Sequence, residues 1–146
     1  VYKRQISHFI FFSERVIGSL ELKWAKVIYP KDKLLCETDV LARLETKDGK
    51  CVNILASVGG AQPDRQEMTV RGTAKSRRVS EFYKDSESNG LEFIPLREEP
   101  KDPRAVSLKA QLDDLEKVYN GHPNKLATVD EALRVQVLIE SILASK

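Results

Sequence analysis

The chain has 146 residues, 41% hydrophobic and 32% charged, the profile of one folded domain long enough to bury a core without a metal or disulfide staple. Lysine plus arginine total 24 against 22 for aspartate plus glutamate. A net charge of +2 is too small to imply nucleic acid or an anionic membrane as partner. The richest apolar stretch, Ile6 to Ile17, is broken by Ser7, Ser13, Glu14 and Arg15, so no window approaches the ~18 apolar residues of a membrane span. The opening residues also lack the small-residue cleavage site of a signal peptide. These readings predict a cytoplasmic chain, and its start inside an expected helix without an initiator Met suggests a piece of a longer polypeptide.

Residues 5–17 place Ile6, Phe9, Ile10 and Ile17 at helical spacing, with Gly18 as a left-handed stop. From Leu20 to Tyr29 apolar residues recur at period two, which predicts a strand with Leu20, Leu22 and Trp24 on its packed face. Residues 36–46 alternate small or apolar with mainly charged residues, so a second strand has one packed and one polar face. Asp48-Gly49 marks a hairpin. A two-residue loop would set Arg43 and Glu45 against Ile54 and Val52. A three-residue loop, Lys47-Asp48-Gly49, instead pairs Glu45 with Cys51 and keeps Val52, Ile54, Ala56 and Val58 on the packed face.

Short strands are expected over 66–71, 77–83 and 91–96, with residues 84–90 as polar turn or loop. Asp102-Pro103 opens a helix over 103–120, and Leu108, Leu112, Leu115 and Tyr119 form its apolar stripe. Thr128-Val129-Asp130-Glu131 is a capping box for a last helix over 128–144. The sum is a single α+β domain over residues 1–146: an open, mainly antiparallel sheet of about six strands within 20–96, with helices packed on one face. Its other face carries Glu37, Asp39, Arg43, Glu45, Asn53 and Ser57 beside Leu41 and Leu55. That mixture is either solvated or joined to a partner. Asp39, Leu41, Arg43, Asn53 and Leu55 are the candidate interface for a homodimer or higher oligomer.

Cys36 and Cys51 fall too far apart along this register to bridge, so both are expected as reduced thiols. Neither His8 nor His122 has a partner at metal-ligand spacing, and no metal site is expected. The chain has no G-x-G-x-x-G, no G-x-x-x-x-G-K-[ST] and no G-x-S-x-G, hence no recognised cradle for a nucleotide phosphate and no nucleophilic serine turn. Arg71, Lys75, Arg77 and Arg78 lack interleaved aromatics and read as a solvated hairpin rather than a nucleic-acid platform.

Three stretches carry a likeness: the Ile6-Ser7-His8 helix ending at Gly18, Met68-Thr69-Val70-Arg71-Gly72-Thr73 with its following strand, and the terminal helix from Asp130 to Ile142. Together they resemble the C-terminal domain of the Gfo/Idh/MocA oxidoreductases, the glucose-fructose oxidoreductase and inositol dehydrogenase family. The resemblance implies a parent protein in which a Rossmann domain, absent from this chain, binds NAD or NADP, while the sheet domain supplies contacts to substrate and to a second subunit. It implies a small polyol, sugar or cyclitol as substrate and an isolated chain that is inactive. It makes His8 the histidine of a helical Asp-x-x-x-His motif that takes or orients a proton, although Arg4 stands where the motif has Asp. Hydride removal from an alcohol leaves a proton that an imidazole within reach can accept, while the hydride acceptor must come from elsewhere. The rival reading is a stand-alone ligand-binding or protein-assembly module that uses the open sheet face.

Overall fold

The computed structural model describes residues 2–32, 34–61 and 63–145, with side chains from Ile6 onward. In chain order the elements are α1 (Tyr2–Ile17), β1 (Glu21–Ile28), β2 (Asp39–Glu45), β3 (Cys51–Ser57), β4 (Glu67–Arg71), β5 (Ser76–Ser80), β6 (Lys84–Ser88), β7 (Ile94–Pro95), α2 (Pro103–Tyr119) and α3 (Val129–Leu143). The class is α+β and every strand pair is antiparallel. The strands form two sheets, β1-β2-β3 and β4-β5-β6-β7, in two compact units: Val1–Gln62 with Ala127–Lys146, and Pro63–Leu126.

In the first unit, Gly49 sits at φ 85°, a left-handed conformation that costs glycine little and other residues more. The Thr46 amide donates to the Lys50 carbonyl and the Gly49 amide to the Thr46 carbonyl. The turn sets Glu45 opposite Cys51, Arg43 opposite Asn53 and Leu41 opposite Leu55, the register the alternation predicts. One face of the sheet is therefore apolar. Val40, Ala42 and Leu44 are buried, and Ile6 and Ile10 of α1 with Val135, Leu138, Ile139 and Ile142 of α3 join them in one core. Leu22, Ala25, Val27, Val52, Ile54 and Ala56 pack around it.

Both helix starts that the sequence marks are capped. The Asp102 carboxylate accepts from the Arg104 and Ala105 amides, each at 3.0 Å. Thr128 and Glu131 satisfy each other's backbone amides in a capping box. Glu131 also receives two hydrogen bonds from Arg15, at 3.0 and 2.9 Å. Arg15 lies 4.6 Å over the Phe11 ring. The Arg15 guanidinium foremost, and then the Thr128 amide, hold the Glu131 carboxyl down at about 2. Glu14 accepts from the Leu20 amide at 3.1 Å and faces Arg134 at 3.8 Å, so a hydrogen bond ties α1 to the turn after it and opposite charges tie it to α3.

Two expectations fail in this unit. A β-bulge between Leu22 and Trp24 shifts the β1 register, so Leu22 pairs with Leu44 but Trp24 pairs with Arg43. The extra residue sends Trp24 to the opposite face from Leu22, and it is 50% exposed instead of packed. Glu37 lies before β2 rather than on its polar face and is buried.

In the second unit, residues 84–88, expected as turn or loop, form β6. Their low β-propensity is overridden by cross-strand charge pairs. Arg77 faces Asp85 at 3.5 Å and Glu87 at 3.0 Å, while Lys75 reaches Glu87 at 2.5 Å. Lys75 foremost holds the Glu87 carboxyl below its usual range. The preceding tip places Glu81 and Phe82 at φ 52° and 63°, unusual for residues that carry a Cβ. The strand expected over 91–96 shrinks to Ile94–Pro95. No residue of α2 is buried.

Candidate functional site

The open face of the first sheet collects side chains from three strands because each strand alternates. Across β1, β2 and β3 its rows are Glu21, Glu45 and Cys51; Trp24, Arg43 and Asn53; Lys26, Leu41 and Leu55; and Ile28, Asp39 and Ser57. Of the predicted interface residues, Arg43, Asn53, Leu41, Leu55 and Asp39 are thus brought onto one surface. Arg43 is fixed at its centre, its Nε donating to Glu45 at 3.1 Å and its Nη1 to Asn53 at 3.0 Å. Around this polar cluster Trp24, Ile28, Leu41 and Leu55 are 50%, 47%, 42% and 83% exposed. Trp24 and Ile28 escaped the sequence reading because a bulge leaves no mark in the period.

His8 stands on α1 between the inward-facing Ile6 and Ile10 and is itself exposed. Two residues from each of them, it lies off the buried stripe of this amphipathic helix. The side chain of Arg4, four positions earlier, lies outside the described residues. Cys36 and Cys51 are exposed and free. Among the described residues no three His, Cys, Asp or Glu side chains converge as a metal site, and no helix is long and apolar enough to cross a membrane. Of the four hairpin cations, Lys75, Arg77 and Arg78 are engaged locally. Arg78 lies 3.7 Å over the Phe93 ring and 3.5 Å from Glu67, while Lys75 and Arg77 hold Glu87.

No family model and no curated protein matches the chain. Solved structures do. A dehydrogenase (MviM) from Clostridium difficile matches with TM-score 0.74 and 13% identity over 94% of this chain and 45% of its own. KijD10, a 3-ketoreductase from Actinomadura kijaniata in complex with TDP-benzene and NADP, matches with TM-score 0.68 and 16% identity over 95% of this chain and 45% of its own. The WlbA dehydrogenase from Bordetella pertussis in complex with NADH and UDP-GlcNAcA gives 0.66 and 16%, over 94% and 43%. At such identities the likeness establishes a shared fold. The chain spans less than half the length of these proteins.

Proposed function

We propose that this chain is the substrate-binding and oligomerisation domain of an NAD(P)-dependent oxidoreductase acting on a sugar, cyclitol or similar polyol. The observation that carries the reading is the lopsided coverage: nearly all of this chain matches less than half of dehydrogenase and ketoreductase chains, two of them holding NADP or NADH. The residues present do not fit the dinucleotide. Every strand pair is antiparallel, and the sequence has no glycine-rich strand-to-helix turn of the kind that seats a pyrophosphate on a helix N-terminus. The cofactor therefore belongs to residues beyond this chain, and the chain's own contribution is to hold the polyol and its proton. His8, exposed on α1, is the proton-transfer residue in this reading, since an imidazole carries both a proton donor and a proton acceptor nitrogen.

The open face of the first sheet is the subunit contact in this reading. Trp24, Leu41 and Leu55 supply its apolar area, and Arg43 with Asn53, Glu45 and Asp39 sets the register with a second copy. Arg43→Glu should lower the solution mass of the native protein, and an unchanged mass would remove this face as the contact.

The catalytic reading is tested on protein immunopurified from source cells with an antibody against this chain. That material should reduce NAD(P)+ when supplied with polyols, and His8→Asn should lower its kcat by roughly 100-fold or more. The isolated chain should show neither turnover nor tight dinucleotide binding. Hydride transfer by the isolated chain, or an inert native protein, would overturn the assignment.

A further inference from the structure

Helix α2 presents an apolar seam with nothing buried against it. Leu108, Leu112, Leu115 and Tyr119 are 56%, 55%, 54% and 90% exposed, and no α2 residue is buried. The unit that contains it offers no alternative core, since among the described residues every buried hydrophobic one lies in the other unit. The seam is also narrow. With Ala105 its members are spaced alternately three and four apart, the a and d positions of a heptad, where a helix lying on a globular core shows a wider stripe.

We infer that α2 pairs antiparallel with α2 of a second copy of this chain. The flanking charges select the arrangement. In an antiparallel pair the seam layers set Leu108 against the second copy's Tyr119 and Leu112 against its Leu115, and the e positions then place Lys109 against Glu116, twice by symmetry. Sliding one helix by a heptad in either direction leaves part of the seam uncovered and sets Lys109 against Lys109, or Glu116 against Glu116. A parallel pair sets Arg104 against Lys109. One register alone buries all four large residues and matches both charges, which is how such helices specify a partner. Within α2, Lys109 also reaches Asp113 at 2.7 Å, and Lys117 reaches Asp114 at 2.6 Å on the less exposed side of the helix, which leaves the seam as the open side.

A seam of about three turns is short against the three to four heptads of an independent coiled coil, so the association is concentration-dependent and is read by sedimentation velocity over a wide dilution series. Lys109→Glu should raise the dissociation constant roughly tenfold or more by setting two acidic pairs across the seam, and Glu116→Lys should do the same with basic pairs. The double variant Lys109→Glu/Glu116→Lys restores opposite charges and should return association to the parental value. Leu112→Glu should abolish it while leaving the circular dichroism of the monomer unchanged, since the residue is exposed. Repeating the series with Arg43→Glu present separates this seam from the sheet-face contact: the α2 effects persist whether or not that face is used. Single charge variants that leave association unchanged, or a double variant that fails to restore it, would overturn the pairing. If the Leu112→Glu change alone had an effect, the seam would be covered by some other surface, and the pairing would fall as well.

Discussion

The two units are built on different physics. In the first, α1, α3 and one sheet face enclose ten buried hydrophobic residues among those described, from Ile6 to Ile142. In the second, no hydrophobic residue is buried, and strands with sequences such as KDSES hold together by backbone ladders, cross-strand ion pairs and Arg78 over Phe93. Exposed ion pairs contribute little individually, with a median of about 0–1 kcal/mol, whereas each fully buried aliphatic side chain contributes about 1.5–3 kcal/mol. The first unit thus rests on a buried core, and the second on its ladders and surface pairs.

This contrast can be broken most forcefully at the core. Leu44→Ala should destabilise the chain by about 2–5 kcal/mol in urea unfolding, while Leu112→Ala in dilute, unassociated protein should change stability by less than about 0.5 kcal/mol. Equal effects would mean that α2 has a core partner after all. At Gly72 the second unit has a tight spot, because an added Cβ would lie 2.5 Å from the Lys75 carbonyl oxygen. Gly72→Ala should cost about 1–3 kcal/mol and speed amide exchange in β4 and β5 without touching β2. Exchange that quickens in both sheets alike would contradict the division.

Smaller still are the effects at the α1–α3 clamp. Thr128→Ala should cost about 1 kcal/mol by removing the helix cap. Because Arg15 holds the Glu131 carboxyl at about 2 in the folded state, the stability this group contributes is complete above its unfolded value near 4.5 and fades as the pH falls towards 2. In Glu131→Gln the acid limb between those values should flatten. An unaltered limb would mean that the ion pair with Arg15 contributes nothing in solution.

Much of the first unit was legible because local and long-range signals agree there. Asp48-Gly49, the alternation of Val40, Ala42 and Leu44, and the Thr128 capping box each specify a feature that the fold then uses. Trp24 was not legible, because a single inserted residue flips a side chain without disturbing the composition. Nor was β6, whose partners Lys75 and Arg77 can be matched to Asp85 and Glu87 only once the hairpin is known. The seam of α2 was visible as a stripe. Amphipathicity says that a helix has an apolar face, and it does not say whether the same chain covers it. For the candidate site, the register put Arg43 beside Asn53 and Leu41 beside Leu55, whereas the role of His8 came from resemblance alone and from no property of its neighbours.

The central claim, that this fold serves within a larger oxidoreductase, is tested most directly by the mass of the native polypeptide in source cells, detected with an antibody against this chain. The account predicts one species of more than twice 16.5 kDa, in line with the 43–45% of the dehydrogenase and ketoreductase chains that this fold occupies. A single species near 16.5 kDa would contradict it and leave the sheet face and the α2 seam as the working surfaces of an assembly module.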